Sequence, residues 1–178
     1  MAESQATLGG GCYWCLEAFY QRVNGITKVA SGYSGGHVDN PNAERVYKGD
    51  TGHAEVVQLT FDPSIISYQE ILEIFYVMHD PTTLNRQGND VGDEYRSVIF
   101  YHDDAQKEIA ERVTQDYAAK LWKDPIVTEI EPLEKFWLAD EYMQNYYNNN
   151  PTAGYCQIII EPKIQKLRAK FAQKLKPA

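Results

Sequence analysis

The chain has 178 residues with 43% hydrophobic and 24% charged side chains, the mix of an ordinary globular protein, which excludes disordered and fibrous classes. That length can bury about two-thirds of the unfolded surface around one core, so a single domain over residues 1–178 is expected. A formal charge of −8 with scattered Lys and Arg argues against nucleic acid as the main partner, and no apolar run approaches the ~20 residues that cross a bilayer.

Thr7-Leu8 runs into Gly9-Gly10-Gly11, after which Leu16, Phe19, Tyr20 and Val23 recur at helical spacing, which reads as strand, tight loop and helix. Gly25 ends that helix, and Ile26 to Ala30 restarts as a strand leading to Gly32-Tyr33-Ser34-Gly35-Gly36 and a long irregular loop. Val57, Leu59 and Phe61 alternate with polar residues, the period of a half-buried strand from Ala54 to Phe61. Ser67 and Glu70 make a capping box, and Ile71, Leu72, Phe75, Tyr76 and Met78 continue as an apolar helical stripe that stops near Asp80-Pro81. Residues 82–94 read as loop and Tyr95 to Tyr101 as strand. Asp103 or Asp104 then caps a helix carrying Ile109, Val113, Tyr117 and Leu121, and Pro125 precedes a strand through Ile130. If the helix after residue 103 serves as a connection, this order suits an α+β fold, a ferredoxin-like split βαβ two-layer sandwich with irregular extensions. Residues 134–178 form a C-terminal extension, aromatic and Asn-rich to Asn150, with Ile164, Leu167, Phe171 and Leu175 at the spacing of a terminal helix.

The start Met-Ala-Glu-Ser-Gln lacks the charged-then-apolar pattern of an export signal, so a cytoplasmic location is expected, with no membrane association. The three cysteines, an odd number, therefore read as free, reactive thiols. Cys12 stands where the glycine loop enters a helix, near unpaired backbone N–H donors and the positive end of the dipole, which favour thiolate. It is the candidate nucleophile, although a buried structural cysteine is common for the residue type. Cys12 and Cys15 together form a Cys-x-x-Cys, which fits a redox pair or half of a metal site. The metal alternative lacks a second close ligand pair, since Cys156, His37, His53, His79 and His102 offer no such spacing, and no metal is expected.

Five further segments complete a recognisable set. Gly11-Cys12-Tyr13-Trp14, Gly49-Asp50-Thr51-Gly52-His53-Ala54-Glu55, Asn85-Arg86-Gln87-Gly88-Asn89-Asp90-Val91-Gly92, Tyr95-Arg96-Ser97 and Gly154-Tyr155-Cys156 resemble, in order, the signatures of A-type peptide methionine sulfoxide reductases. The resemblance runs from about residue 6 to residue 163. It implies a thiol oxidoreductase that reduces the S epimer of methionine sulfoxide, free or in oxidised proteins, as repair of oxidative damage. By the same resemblance Cys12 attacks the sulfoxide sulfur, Tyr13 and Trp14 wall the pocket for the S-methyl group, and Glu55 is the proton donor. Asp90 and Tyr95 match positions that complete the pocket around the sulfoxide oxygen. Cys12 is left as a sulfenic acid and condenses with a second thiol. Cys156 matches the resolving position and Cys15 is its rival, or the two act in turn and pass the disulfide outward, with thioredoxin reducing the resulting disulfide and no cofactor implied.

Three departures stand out. The family usually has a second pocket tyrosine at the position of Ala43, for which Tyr47 is the nearest replacement, while Tyr13 stands for a more usual phenylalanine and Met143 for a common histidine. Two other readings compete. A general thiol–disulfide exchanger would use Cys12 and Cys15 but gives Glu55, Asp90 and Tyr95 no task, and a binding module for oxidised methionine would leave Cys12 inert.

Overall fold

A computed structural model describes residues 3–177. Its core is a sheet in which β1 (Ser4–Gly9), β2 (Ile26–Ser34), β3 (Ala54–Phe61) and β6 (Val98–Tyr101) lie in the order β6-β1-β3-β2, all antiparallel neighbours. Helix α1 (Tyr13–Tyr20) links β1 to β2 and α3 (Tyr68–Met78) follows β3 on the way to β6, which is the expected ferredoxin-like split βαβ arrangement. The second crossover of that core is therefore α3. The helix after residue 103, α4 (Asp104–Val113), instead carries the chain from β6 to a fifth strand, β7 (Glu129–Pro132), which is parallel to β6. A sixth strand, β8 (Trp137–Leu138), pairs with the far edge of β2.

Local chemistry sets the element ends. Ser67 accepts from the Glu70 N–H and Glu70 accepts from the Ser67 N–H, so the capping box opens α3 as the sequence spacing predicts. Asp103 is the residue that caps α4, accepting from Gln106 N–H. Strand β2 runs four residues beyond Ala30, because β3 pairs along its whole length. The segments read as loops hold three small elements: α2 (Ala43–Tyr47), capped by Asn42, and a hairpin of β4 (Arg86–Gln87) with β5 (Asp90–Val91). Each is too short to produce a hydrophobic period.

Alternation in β3 places the core and the site together. Val57, Leu59 and Phe61 face the main core with Leu8, Leu16, Phe19, Ile71 and Phe75, whereas Ala54 and Val56 face a smaller cluster with Val98 and Phe100 under Leu133 and Phe136. Glu55 shares the parity of Val57, so a carboxyl is carried onto the apolar, helix-covered side. The terminal helix α7 (Glu161–Phe171), entered through a wide π-type turn over Cys156–Ile160, packs on α1 and α3 through Ile160, Ile164 and Leu167. Among the described residues no helix is long and apolar enough to cross a membrane.

Candidate active site

The Gly-rich loop is compressed between side chains. A Cβ at Gly10 would sit 3.0 Å from the His79 ring, and Gly11 has φ +100 with the Gln87 side chain 2.7 Å from any added Cβ. Only glycine takes that left-handed backbone cheaply, and it sets Cys12 as the N-cap of α1. His79 is held neutral, its pKa lowered to about 4 by burial, with its ring nitrogens paired to Phe75 O and Ser97 Oγ. It is thus a fully satisfied support beneath the loop.

Cys12 is buried, and the Tyr13 N–H directly after it donates to Glu55 Oε1 at 3.1 Å. Glu55 is 3% exposed, and its carboxyl is pushed up to about 8, first by burial and then by Glu94 and Asp90, against the Tyr13 hydrogen bond. At neutral pH it is chiefly a carboxylic acid. The thiol departs from the expectation of a helix-stabilised thiolate: burial, then Glu55 and Cys15, push Cys12 well above the ordinary range, and only the Trp14 N–H opposes them. Much of the Glu55 penalty disappears while that acid keeps its proton.

The remaining candidates surround this pair unevenly. Tyr13 is buried, its hydroxyl bonded to Tyr33 at 2.7 Å, so its ring backs the site from within the core. Trp14 is half-buried and stacks on Tyr146 at 3.7 Å and 6°. Tyr95 is buried in a short turn after β5, its phenol raised by burial and by Glu55 and Tyr47. Asp90, in β5, accepts from the Tyr155 hydroxyl at 2.9 Å. Cys12, Asp90 and Tyr155 share a cleft of about 520 Å³ with Gln87, Ile159 and Lys163. Cys15 is buried one helical turn from Cys12 and close enough to raise the pKa of both Cys12 and Cys156.

Comparison with known proteins decides the family. A model of the peptide methionine sulfoxide reductase family matches residues 4–175. The chain belongs to that family. It is similar to the peptide methionine sulfoxide reductase MsrA of Saccharolobus solfataricus, 54% identical over 96% of each chain. Its fold is similar to that of Mxr1 from Saccharomyces cerevisiae in reduced form, with a TM-score of 0.82 and 36% identity over 86% of this chain and 89% of the yeast one. Mxr1 in complex with Trx2 is also similar, with a TM-score of 0.58 and 28% identity over 81% of this chain and 84% of that one. The protein is thus an oxidoreductase of the methionine sulfoxide reductase family, with the α+β fold of its relatives.

Within that reductase framework, two features escaped the sequence. Glu17 is 1% exposed and accepts from the N–H groups of Asn145 at 2.9 Å and Tyr146 at 3.1 Å, fastening the C-terminal segment to α1. Asn145 adopts the left-handed conformation (φ 55), which an asparagine tolerates, and so turns both N–H groups toward one carboxylate. Tyr146 was the other omission; the Tyr-rich run was visible, but nothing in it marks which ring meets Trp14, and Tyr155 stood in the Gly154-Tyr155-Cys156 signature without a role of its own. The Ala43 gap has a geometric counterpart: Tyr47 lies on α2 at i+4 from Ala43, on the same face, and neighbours the Tyr95 phenol.

Proposed function

We propose that this reductase acts on the S epimer of methionine sulfoxide, free or in oxidised proteins, through a thiol cycle that uses only its own cysteines and an external dithiol. The observation that carries the reading is the adjacency of a buried thiol, Cys12, to a buried carboxyl that keeps its proton to about pH 8, Glu55. Sulfoxide reduction needs both at once: the Cys12 sulfur attacks the sulfoxide sulfur while Glu55 gives its proton to the departing oxygen and takes up the one the thiol sheds. Methionine leaves and Cys12 holds the hydroxyl as a sulfenic acid. Trp14 supplies the apolar wall for the S-methyl group, with Tyr13 behind it, while Tyr95 and its neighbour Tyr47 offer hydroxyls to the oxygen and Asp90 completes the polar side.

Cys15, in the first turn of the helix that Cys12 caps, is the first to condense with Cys12, and Cys156 takes the disulfide onward in this reading. The complex of the yeast relative with Trx2 supports a thioredoxin as the final reductant.

The test is single-turnover reduction of the separated S and R epimers of a blocked methionine sulfoxide, by the wild-type chain and by Cys12→Ser. The expected result is one equivalent of sulfide from the S epimer alone, lost in the variant. Sulfide from neither epimer would leave disulfide exchange as the chemistry of Cys12 and Cys15.

A further inference from the structure

The Tyr155 phenol has no task in that cycle, yet it touches one of the reacting sulfurs. Its hydroxyl donates to Asp90 Oδ2 at 2.9 Å and lies 3.6 Å from Cys15 Sγ. A phenol has one proton to give. With that proton directed at Asp90, the Cys15 contact is left for the thiol to donate, and the chain runs in one direction, from S–H to phenol oxygen to carboxylate. The ring is set edge-on against Trp14 at 5.7 Å and 77°, which fixes the hydroxyl between the two groups.

Cys15 needs such a route because it is 2% exposed, so bulk water is poorly placed to take its proton. Burial raises its thiol pKa, and Asp90 and Glu55 raise it further against the pull of Lys163. A thiol in that position attacks only as fast as a neighbouring group accepts its proton.

We propose that Tyr155 is a catalytic proton relay for disulfide closure, carrying the Cys15 proton to Asp90 as Cys15 attacks the Cys12 sulfenic acid. The inference rests on the reading that Cys15 closes the first disulfide. In the step, the Cys15 S–H bond breaks and its sulfur bonds to Cys12 sulfur, while the Cys12 S–O bond breaks with its electron pair leaving on hydroxide. The Cys15 sulfur is oxidised and the Cys12 sulfur reduced. The thiol proton moves to the Tyr155 oxygen as the phenol proton moves to Asp90, and Asp90, lining the same cleft as Cys12, returns one proton to the hydroxide to make water.

The experiment separates closure from sulfoxide chemistry by forming the Cys12 sulfenic acid with one equivalent of hydrogen peroxide. The Cys12–Cys15 disulfide is then followed by mass spectrometry, with dimedone trapping of the sulfenic acid. Tyr155→Phe is expected to close at least about tenfold more slowly and to accumulate trappable sulfenic acid. Closure at the wild-type rate overturns the relay, as does an equally fast loss of sulfenic acid in Cys15→Ser. If Tyr155→Phe loses its native circular dichroism, Asp90→Asn carries the test, since it keeps the ring and an oxygen to accept from it but removes the base that takes its proton; unchanged closure there also overturns it. A wild-type chain that reduces neither epimer but closes this disulfide, slowly only in Tyr155→Phe, would sink the sulfoxide reading and leave the relay standing.

Discussion

The glycine turn with α1 and the segment of residues 139–160 face each other across one cleft, yet different forces hold them. On the first side all but Trp14 of the candidate residues are buried: Cys12, Tyr13, Glu55 and Tyr95 are each less than 9% exposed, wedged against His79, Gln87 and the main core. The second side is half-exposed and fastened by polar contacts. Glu17 grips Asn145 and Tyr146, and Gln144 pairs with both backbone groups of Ser31. Close packing fixes atoms to fractions of an ångström, which proton donation to a sulfoxide oxygen requires. Polar fastenings open at lower cost, which suits a wall whose Cys156 must pass a disulfide to an outside dithiol.

Glu55→Gln strikes the packed side and has the largest expected effect, a loss of about 10²–10⁴ in the single-turnover rate. The wild-type rate should fall as pH rises through about 8, where Glu55 loses its proton, and the variant should lack that fall. Stability must move the opposite way. Below pH 4.5 the carboxyl is neutral whether the chain is folded or not, but between 4.5 and about 8 it ionises only when unfolded, so each rise in pH costs folding free energy. The Gln variant escapes that cost. Its melting temperature should exceed wild type at pH 8, by up to about 4 kcal/mol in stability, and converge with it near pH 4. A variant that melts lower at pH 8 would show that Glu55 is not the neutral, strained acid of the packed side.

Glu17→Gln strikes the fastened side and should leave chemistry nearly intact. The amide keeps one acceptor oxygen and turns an NH2 toward the second backbone N–H, so one buried donor loses its partner. Opening of the segment should become about tenfold easier, read as faster alkylation of Cys156, while the sulfoxide step at saturating substrate barely changes. An equal loss in both would mean that the two walls act as one unit. Tyr47→Phe is the smallest perturbation: a loss of about fivefold in efficiency, the worth of roughly one hydrogen bond at a half-open position. No change would mean that Tyr95 alone serves the oxygen.

The packed side was also the legible side. The triple glycine before Cys12, the capping box at Ser67 and the alternation through Glu55 are local patterns, and local sterics and caps fix what they become. The side chains that meet there came from the family resemblance, since nothing local brings Glu55 of β3 to the Tyr13 N–H. The fastened side was obscure for a physical reason. Its contacts join residues more than a hundred positions apart, as Glu17 does with Asn145, through a single left-handed asparagine that leaves no period in the sequence. The thiol showed the limit of local reasoning most sharply. A helix start favours thiolate, whereas burial, visible only in three dimensions, pushes the thiol pKa up.

Strand β8 lies in the same extension that bears Cys156, and it lies along β2, one of the two outer strands of the central four. The extension therefore also shields a sheet edge. A chain cut at residue 134 would lose its recycling thiol and at the same time bare the β2 edge at Gly32 and Tyr33, where a second copy could pair. Solubility and turnover are thus tied to one stretch of chain, and neither can be trimmed without the other.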